Sequence, residues 1–356
     1  MVTKVGQMMS DNDVIHVALA FCDPKGTYAR HAAVTMASIY ENAQGRRVDV
    51  HILHDETLND KNRSALALLA QNYHQSVDFI DVALNFEELK KKAQSLPLDG
   101  YRGTMFRLFL SDVLAADKVI YLDCDIVVEM DIAELWNVPL NNHAAAAVRD
   151  VWTLDYLNGK SVPWRLGKVW DLLGVRHDSY FNAGVMVLNL RKIREYYKLS
   201  DHVLEFYSKY RRCITLHDQD FLNWIFAGDV LLLEERFNHI NASGVTKETL
   251  RGSIWHMAGG SAKPWSSYTR QFVDDLYWHY LRLTPYCQDE NELIHLILQG
   301  MAASPLMHLH SSDCTRRLLK QLEDDIFRAH IWKIPPVLWK LFLKRLSRLK
   351  GRRREQ

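Results

Sequence analysis

Two hydrophobic periods alternate along the first half of the chain. Apolar runs of the kind that buried parallel strands show occupy 14–21 (VIHVALAF), 48–54 (VDVHILH), 77–82 (VDFIDV) and the stretch from Lys118 (KVIYLDCDIVV). Between them, 30–43, 59–73 and 104–114 carry apolar residues at helical spacing. Strand–helix–strand repetition of this kind predicts an α/β fold, a parallel sheet with helices on both faces. Further on come the run AAAAVRD over 144–150 and a polar, aromatic loop with Trp152, Trp164 and Trp170. The pattern then predicts a strand over 180–190, a long helix over 191–210, a helix from Phe221 and a strand at 229–233. Beyond residue 266 it is helical and amphipathic, and no internal repeat is visible. The division this suggests is a flexible 1–12, a main domain over 13–266, a helical region over 267–332 and a basic tail over 333–356.

Composition narrows the class. The hydrophobic fraction of 48% and charged fraction of 24% are those of a globular protein with a sizeable core. From Lys333 onward nine basic residues stand against the single acid Glu355, a charge of about +8 on a chain whose total is +1. The body is therefore mildly acidic, which argues against nucleic acid as a partner. Five scattered cysteines without a CxxC pair point to a reducing compartment and away from structural zinc. The N-terminus has no apolar signal core and no run of about 18 apolar residues appears, so the expected location is cytoplasmic.

Chemistry concentrates in four segments. In KVIYLDCDIVV, Asp123 and Asp125 stand at the predicted strand tip, where an isolated buried carboxylate would cost several kcal/mol. They either cap the turn into a helix opened by Asp131 and Glu134, or hold a hard divalent cation together with the oxygens of a diphosphate. His256 is either a satisfied core side chain beside Trp255 or a further ligand. Its segment HMAGGSAKPW also offers glycines for close backbone approach and Lys263 as a point charge for phosphate. In YFNAGVMVLNL, Asn182, Ala183 and Gly184 either start a strand tightly or present an amide and backbone groups to sugar hydroxyls. In HDQD, Asp218 either caps the helix from Phe221 or faces the cleft with Gln219.

YLDCDIVV, YFNAGVMVLNL, HDQDFLN and HMAGGSAKPW, in this order and spacing over about residues 13–266, resemble glycosyltransferase family 8. These are retaining GT-A enzymes that include bacterial lipopolysaccharide galactosyl- and glucosyltransferases. The resemblance implies a Rossmann-like, mixed but mostly parallel sheet with a C-terminal helical appendage. It implies Mn2+, with Mg2+ the alternative, on Asp123, Asp125 and His256, bridging the diphosphate of UDP-galactose or UDP-glucose. It assigns uridine to Asp23 and Tyr28, although CDPKGTY here is longer than the family's DDNY. Arg107 falls between base and donor sugar, and Asp150, Asn182, Asp218 and Gln219 reach the transferred hexose, with Gln219, Asp218 and Asp150 as the catalytic candidates. Gly259 or Gly260, with Lys263, forms the phosphate and acceptor loop. The implied acceptor is a lipid-linked oligosaccharide such as the lipopolysaccharide core. With the basic tail on an anionic membrane, the enzyme would be peripheral on the inner face of the cytoplasmic membrane. Other readings are a self-glucosylating, protein or capsule glycosyltransferase of the same family, or a metal-dependent nucleotidyltransferase.

Overall fold

The structure is a computed structural model that describes residues 14–93, 102–159, 164–240, 250–258, 263–266, 272–287 and 289–303. The chain divides into two compact units, Met1–Lys263 with Thr269–Gln288, and Pro264–Tyr268 with Asp289–Gln356. In the first unit the three leading apolar runs form β1 (Ile15–Ala20), β2 (Val48–His54) and β3 (Ser76–Asp81). They pair in parallel, joined by α1 (Ala29–Asn42) and α2 (Asp60–Asn72). Asn59 caps α2, its side chain accepting from the Asn62 N–H. A further helix, α3 (Ala83–Ala93), follows β3.

The run from Lys118 does not form one strand. It breaks at the two aspartates into β4 (Lys118–Leu122) and β5 (Ile126–Val128), which belong to different sheets. β4 extends the large sheet beside β1, and β6 (Ala145–Arg149), β7 (Phe181–Asn189) and β8 (Val230–Leu233) complete it in the order β3-β2-β1-β4-β7-β6-β8. β7 runs antiparallel to both its neighbours and the other pairings are parallel, so the sheet is mixed and mostly parallel, as expected. The small sheet sets β5 antiparallel to β10 (Ile254–His256), which pairs with β9 (His239–Ile240).

The core lies between the large sheet and its helices, with Val17, Leu19, Ile120, Tyr121, Val185 and Val187 fully buried. Each such aliphatic side chain contributes about 1.5–3 kcal/mol on leaving water. The helix Phe272–Leu281 belongs to this unit and packs on α1. There the Tyr277 hydroxyl meets His31 Nδ1 at 2.7 Å and Asn42 donates to the Tyr280 hydroxyl at 2.9 Å. In the second unit Asp289 accepts from the Glu292 N–H and opens the helix Glu290–Ala303. Among the described residues no helix is long and apolar enough to cross a membrane.

Several local expectations change. Residues 102–113 are helical as expected but in three short pieces, Arg102–Met105, a 3-10 turn Phe106–Phe109 and Leu110–Val113, with Met105–Ser111 buried throughout. The helix over 191–210 is interrupted at Lys198, whose φ is +43°. The supposed loop after Arg149 contains the helices Val151–Leu157 and Trp164–Leu173. The helix expected from Phe221 begins at His217, so Asp218 lies in its first turn and does not cap it. Asp220 does the equivalent work by accepting from the N–H groups of Thr215 and Leu216, both at 2.8 Å.

Candidate active site

The break between β4 and β5 builds the centre of the site. Asp123 follows Leu122 directly, and its N–H donates to the Gly184 carbonyl at 2.8 Å, prolonging the β4–β7 ladder by one residue. The β5–β10 register sets His256 opposite Ile126, one residue from Asp125, and the Asp125 carbonyl accepts from the Met257 N–H. His256 Nε2 thereby stands 3.4 Å from Asp125 Oδ1 and 3.6 Å from Asp123 Oδ2. One ligand atom from each residue falls within 4.8 Å of the other two. Two carboxylate oxygens and an imidazole nitrogen suit a hard-to-borderline divalent ion such as Mn2+ or Mg2+. Gly184 makes this convergence sterically feasible. A Cβ there would lie 2.2 Å from His256 Cε1 and 2.9 Å from Asp123 Oδ2. The turn-capping alternative for the acid pair is taken by Asp131, whose carboxylate accepts from the Ala133 N–H at 2.9 Å.

Fixed cations surround the cluster. Arg107, 5% exposed, donates from Nη2 to Asp123 Oδ1 at 2.9 Å, from Nη1 to the Ala183 carbonyl at 2.7 Å and from Nε to the Thr104 carbonyl at 3.0 Å. Its Nε also lies 3.2 Å from Asp218 Oδ2, and its guanidinium rests on the Tyr121 ring. Burial alone would raise the Asp123 carboxyl, but Arg107, helped by His256 and the Tyr121 hydroxyl, holds it below the usual range. For Asp218 burial wins and its carboxyl is pushed up despite Arg107. Burial also lowers the His256 imidazole, favouring the neutral form that binds metal. The Lys263 ammonium pairs with Asp125, and burial pulls its pKa down to about 8. Lys263 and Asp125 thus share one spot at the strand tip.

Beside the acids runs a line of amides. Asp150 caps the helix Val151–Leu157 through the Trp152 N–H, and its other oxygen accepts from Asn182 Nδ2 and Gln219 Nε2, each at 3.2 Å. Gln219 Oε1 accepts from the Ala183 N–H at 3.0 Å, so both backbone groups of Ala183 serve Gln219 and Arg107. Asn182 Oδ1 accepts from the Gly184 N–H and from Asn238 Nδ2, both at 2.9 Å. Asn238 Oδ1 in turn faces His256 Nδ1 at 3.1 Å.

Asp123, Asp125, Arg107, Asp150, Asn182, Ala183, Gly184, Asp218, Gln219, His256 and Lys263 are therefore one connected cluster. Asp23 stands apart from this hydrogen-bonded network. Its carboxylate accepts from the N–H groups of Thr27, Tyr28 and Ala29 and from Asn62 Nδ2, which folds the CDPKGTY loop and satisfies the start of α1. Tyr28 is 38% exposed, its ring 5.9 Å from that of Phe21. Gly259 and Gly260 lie outside the described residues, as do 1–12 and the basic tail. Asn238 and Tyr121, whose hydroxyl donates to Asp123 at 2.8 Å, are cluster members that pattern reading passes over. Asn238 follows an ordinary RF pair, and Tyr121 reads as one more apolar strand residue.

Comparisons with known proteins identify the family and the fold. The sequence model described as glycosyl transferase family 8 matches residues 19–269. The chain is 30% identical over 217 residues to a lipopolysaccharide 1,2-glucosyltransferase of Escherichia coli, a match covering 60% of this chain and 59% of that protein. It is 26% identical over 298 residues to general stress protein A of Bacillus subtilis, covering 78% of this chain and 96% of that one. Among solved structures, the galactosyltransferase LgtC in complex with donor and acceptor sugar analogs superposes with a TM-score of 0.63 at 24% identity. That likeness covers 79% of this chain and all of LgtC, and it establishes the shared fold.

Proposed function

The chain belongs to glycosyltransferase family 8, and we propose that it transfers galactose or glucose from a UDP-sugar, with retention of configuration, to a hydroxyl of a lipid-linked oligosaccharide. The observation that carries this reading is the Asp123–Asp125–His256 cluster at a strand tip, flanked by Arg107 and Lys263. Those three residues would hold Mn2+ or Mg2+. When bound, the ion supplies a Lewis acid for the negative charge that grows on the departing diphosphate. Lys263 adds a cation for the same oxygens, and Arg107 fixes Asp123 while its field favours an anion nearby. Asp150, Asn182 and Gln219 offer carboxylate and amide groups suited to the hydroxyls of the hexose. Asp23 and Tyr28 shape the loop taken as the uridine side of the cleft.

Each carboxylate of the cluster already has a cationic or amide partner: Asp123 and Asp218 on Arg107, Asp125 on Lys263, Asp150 on Asn182 and Gln219. Such pairing lowers nucleophilicity and supports same-face substitution over a glycosyl-enzyme. In that step the acceptor oxygen bonds to C1 as the C1–O bond to UDP breaks, and the acceptor proton passes to the departing phosphate. Gln219 would lie beside the ring carbon that carries positive charge. A panel of UDP-sugars with Mn2+, followed by UDP release with and without truncated lipid-linked oligosaccharides, tests the reading. Expected is acceptor-stimulated release from one of the two hexose donors. Release of pyrophosphate or sugar phosphate in place of UDP overturns it, as does a covalent hexosyl adduct on Asp218 for the same-face step.

A further inference from the structure

Asn238 lies outside the motifs that identify the site, yet it is 1% exposed and joins the two halves of the cluster. It stands between the turn Glu235–Phe237 and β9, and β9 pairs with β10 so that Ile240 is beside His256. The polarity of its contacts follows from groups that have no choice. The Gly184 N–H can only donate, so the Asn182 atom 2.9 Å away is Oδ1. A carboxylate only accepts, so the Asn182 atom 3.2 Å from Asp150 Oδ2 is Nδ2, and the two ends of Asn182 agree. The Asn238 atom at 2.9 Å from Asn182 Oδ1 must therefore be the donor Nδ2. Its Oδ1 is left facing His256 Nδ1 at 3.1 Å, and that nitrogen must carry the proton. In the neutral ring the Nε2 lone pair then faces the gap between Asp123 and Asp125.

We propose that Asn238 is the positioning residue of the metal-binding histidine, imposing the Nδ1–H tautomer on His256 and tying its ring, through Asn182, to the sugar-facing Asp150 and Gln219. The metal half and the hexose half of the cleft are thereby one hydrogen-bonded unit, anchored on a backbone N–H and a carboxylate. The inference rests on the proposed metal role of His256 for its effect on affinity, while the tautomer stands on the hydrogen-bond chain alone. Partners that orient a ligating histidine typically change metal affinity by about 10- to 100-fold when removed.

The test pairs imidazole 15N NMR, with His256 assigned by difference against His256→Asn, with Mn2+ titration followed by the EPR signal of the free ion. In the wild type His256 is expected protonated at Nδ1 and bare at Nε2. Asn238→Ala should mix the tautomers and weaken Mn2+ binding about 10- to 100-fold. Asn238→Asp keeps an acceptor for Nδ1–H but loses the donor to Asn182. It should retain the tautomer and the Mn2+ affinity while lowering kcat at little change in donor KM. A wild-type His256 protonated at Nε2 overturns the proposal, and this needs no variant to fold. Asn238→Ala with wild-type tautomer and affinity overturns it equally. If the wild type shows the Nδ1–H tautomer but no Mn2+ binding, the tautomer assignment stands and the metal reading falls.

Discussion

Asp123 and Asp125 present two negative charges to one gap, a position that is unfavourable until a cation neutralises them. Lys263 partly does so from the Asp125 side and Arg107 from the Asp123 side. Asp125→Asn should therefore leave the melting temperature of the metal-free protein near that of the wild type. It should, however, abolish the rise in Tm that Mn2+ confers on the wild type by binding only the folded state. Turnover should fall by about two to three decades, matching several kcal/mol of lost leaving-group stabilisation. Melts with and without Mn2+, read beside UDP release, check both halves. Lys263 gives a second handle. Its pKa of about 8 lies well below the usual lysine value because of burial, so the ammonium is present at pH 7 and lost as pH rises past 8. UDP affinity should then fall by up to about tenfold per pH unit above that point. Lys263→Arg keeps the charge and should flatten the profile between pH 7.5 and 9.5, measured by calorimetry. A wild-type profile that is flat across this range would remove Lys263 from the phosphate site.

At the scale of elements, the site exists because three strands drawn from two sheets meet at one glycine. β4 leads into Asp123, β10 delivers His256, and β7 brings Gly184 against both side chains. Gly184 has an ordinary strand conformation, so its requirement is space and not a special φ. Gly184→Ala should fold, at a cost of about 1–3 kcal/mol for overpacking. The displaced imidazole should lower Mn2+ affinity by at least about tenfold. Chemical denaturation and Mn2+ titration separate the two effects, and an alanine variant with unchanged metal affinity would show that the ring has room to move. The alternation of buried strands and amphipathic helices was legible because parallel strands buried on both faces are near-continuous apolar runs. Asp123 and Asp125 stood out because charge interrupts such a run. The break of that run into two sheets was not legible, since Ile126–Val128 continue the same apolar pattern and only the pairing with Ile254–His256 separates them. Asn238 was hidden for a related reason: a single amide in a loop carries no period, and its meaning lies in partners 56 and 18 residues away. Asp23, assigned to uridine by the resemblance, also folds its own loop, its carboxylate accepting from three backbone N–H groups and Asn62, which the sequence pattern did not reveal.

At the scale of the whole molecule, the acceptor proposed above is carried by lipid, and the cleft would have to reach it at a membrane surface. We propose that the basic tail attaches the protein to a membrane surface; among the described residues no helix is long and apolar enough to cross one. The segment from Lys333 lies outside the described residues. Pro335 and Pro336 suit a helix start, and at about 100° per residue Leu338, Trp339, Phe342, Leu343, Leu346 and Leu349 share one arc. Lys340, Lys344, Arg345 and Arg348 fall on the other, the pattern of an interfacial helix. Each basic side chain near an anionic surface contributes about 1 kcal/mol, enough in sum for reversible binding. The competing occupant of that face is the acidic body of the protein itself. Co-sedimentation with anionic vesicles distinguishes the two. Full-length protein should bind at low salt and release as the Debye length shrinks toward about 3 Å at 1 M salt. A variant ending at Ile334 should stay in solution yet still hydrolyse UDP-sugar slowly with Mn2+. Equal binding by both, or by neither at low salt, means that the tail docks on the body and that the acceptor is met in some other way.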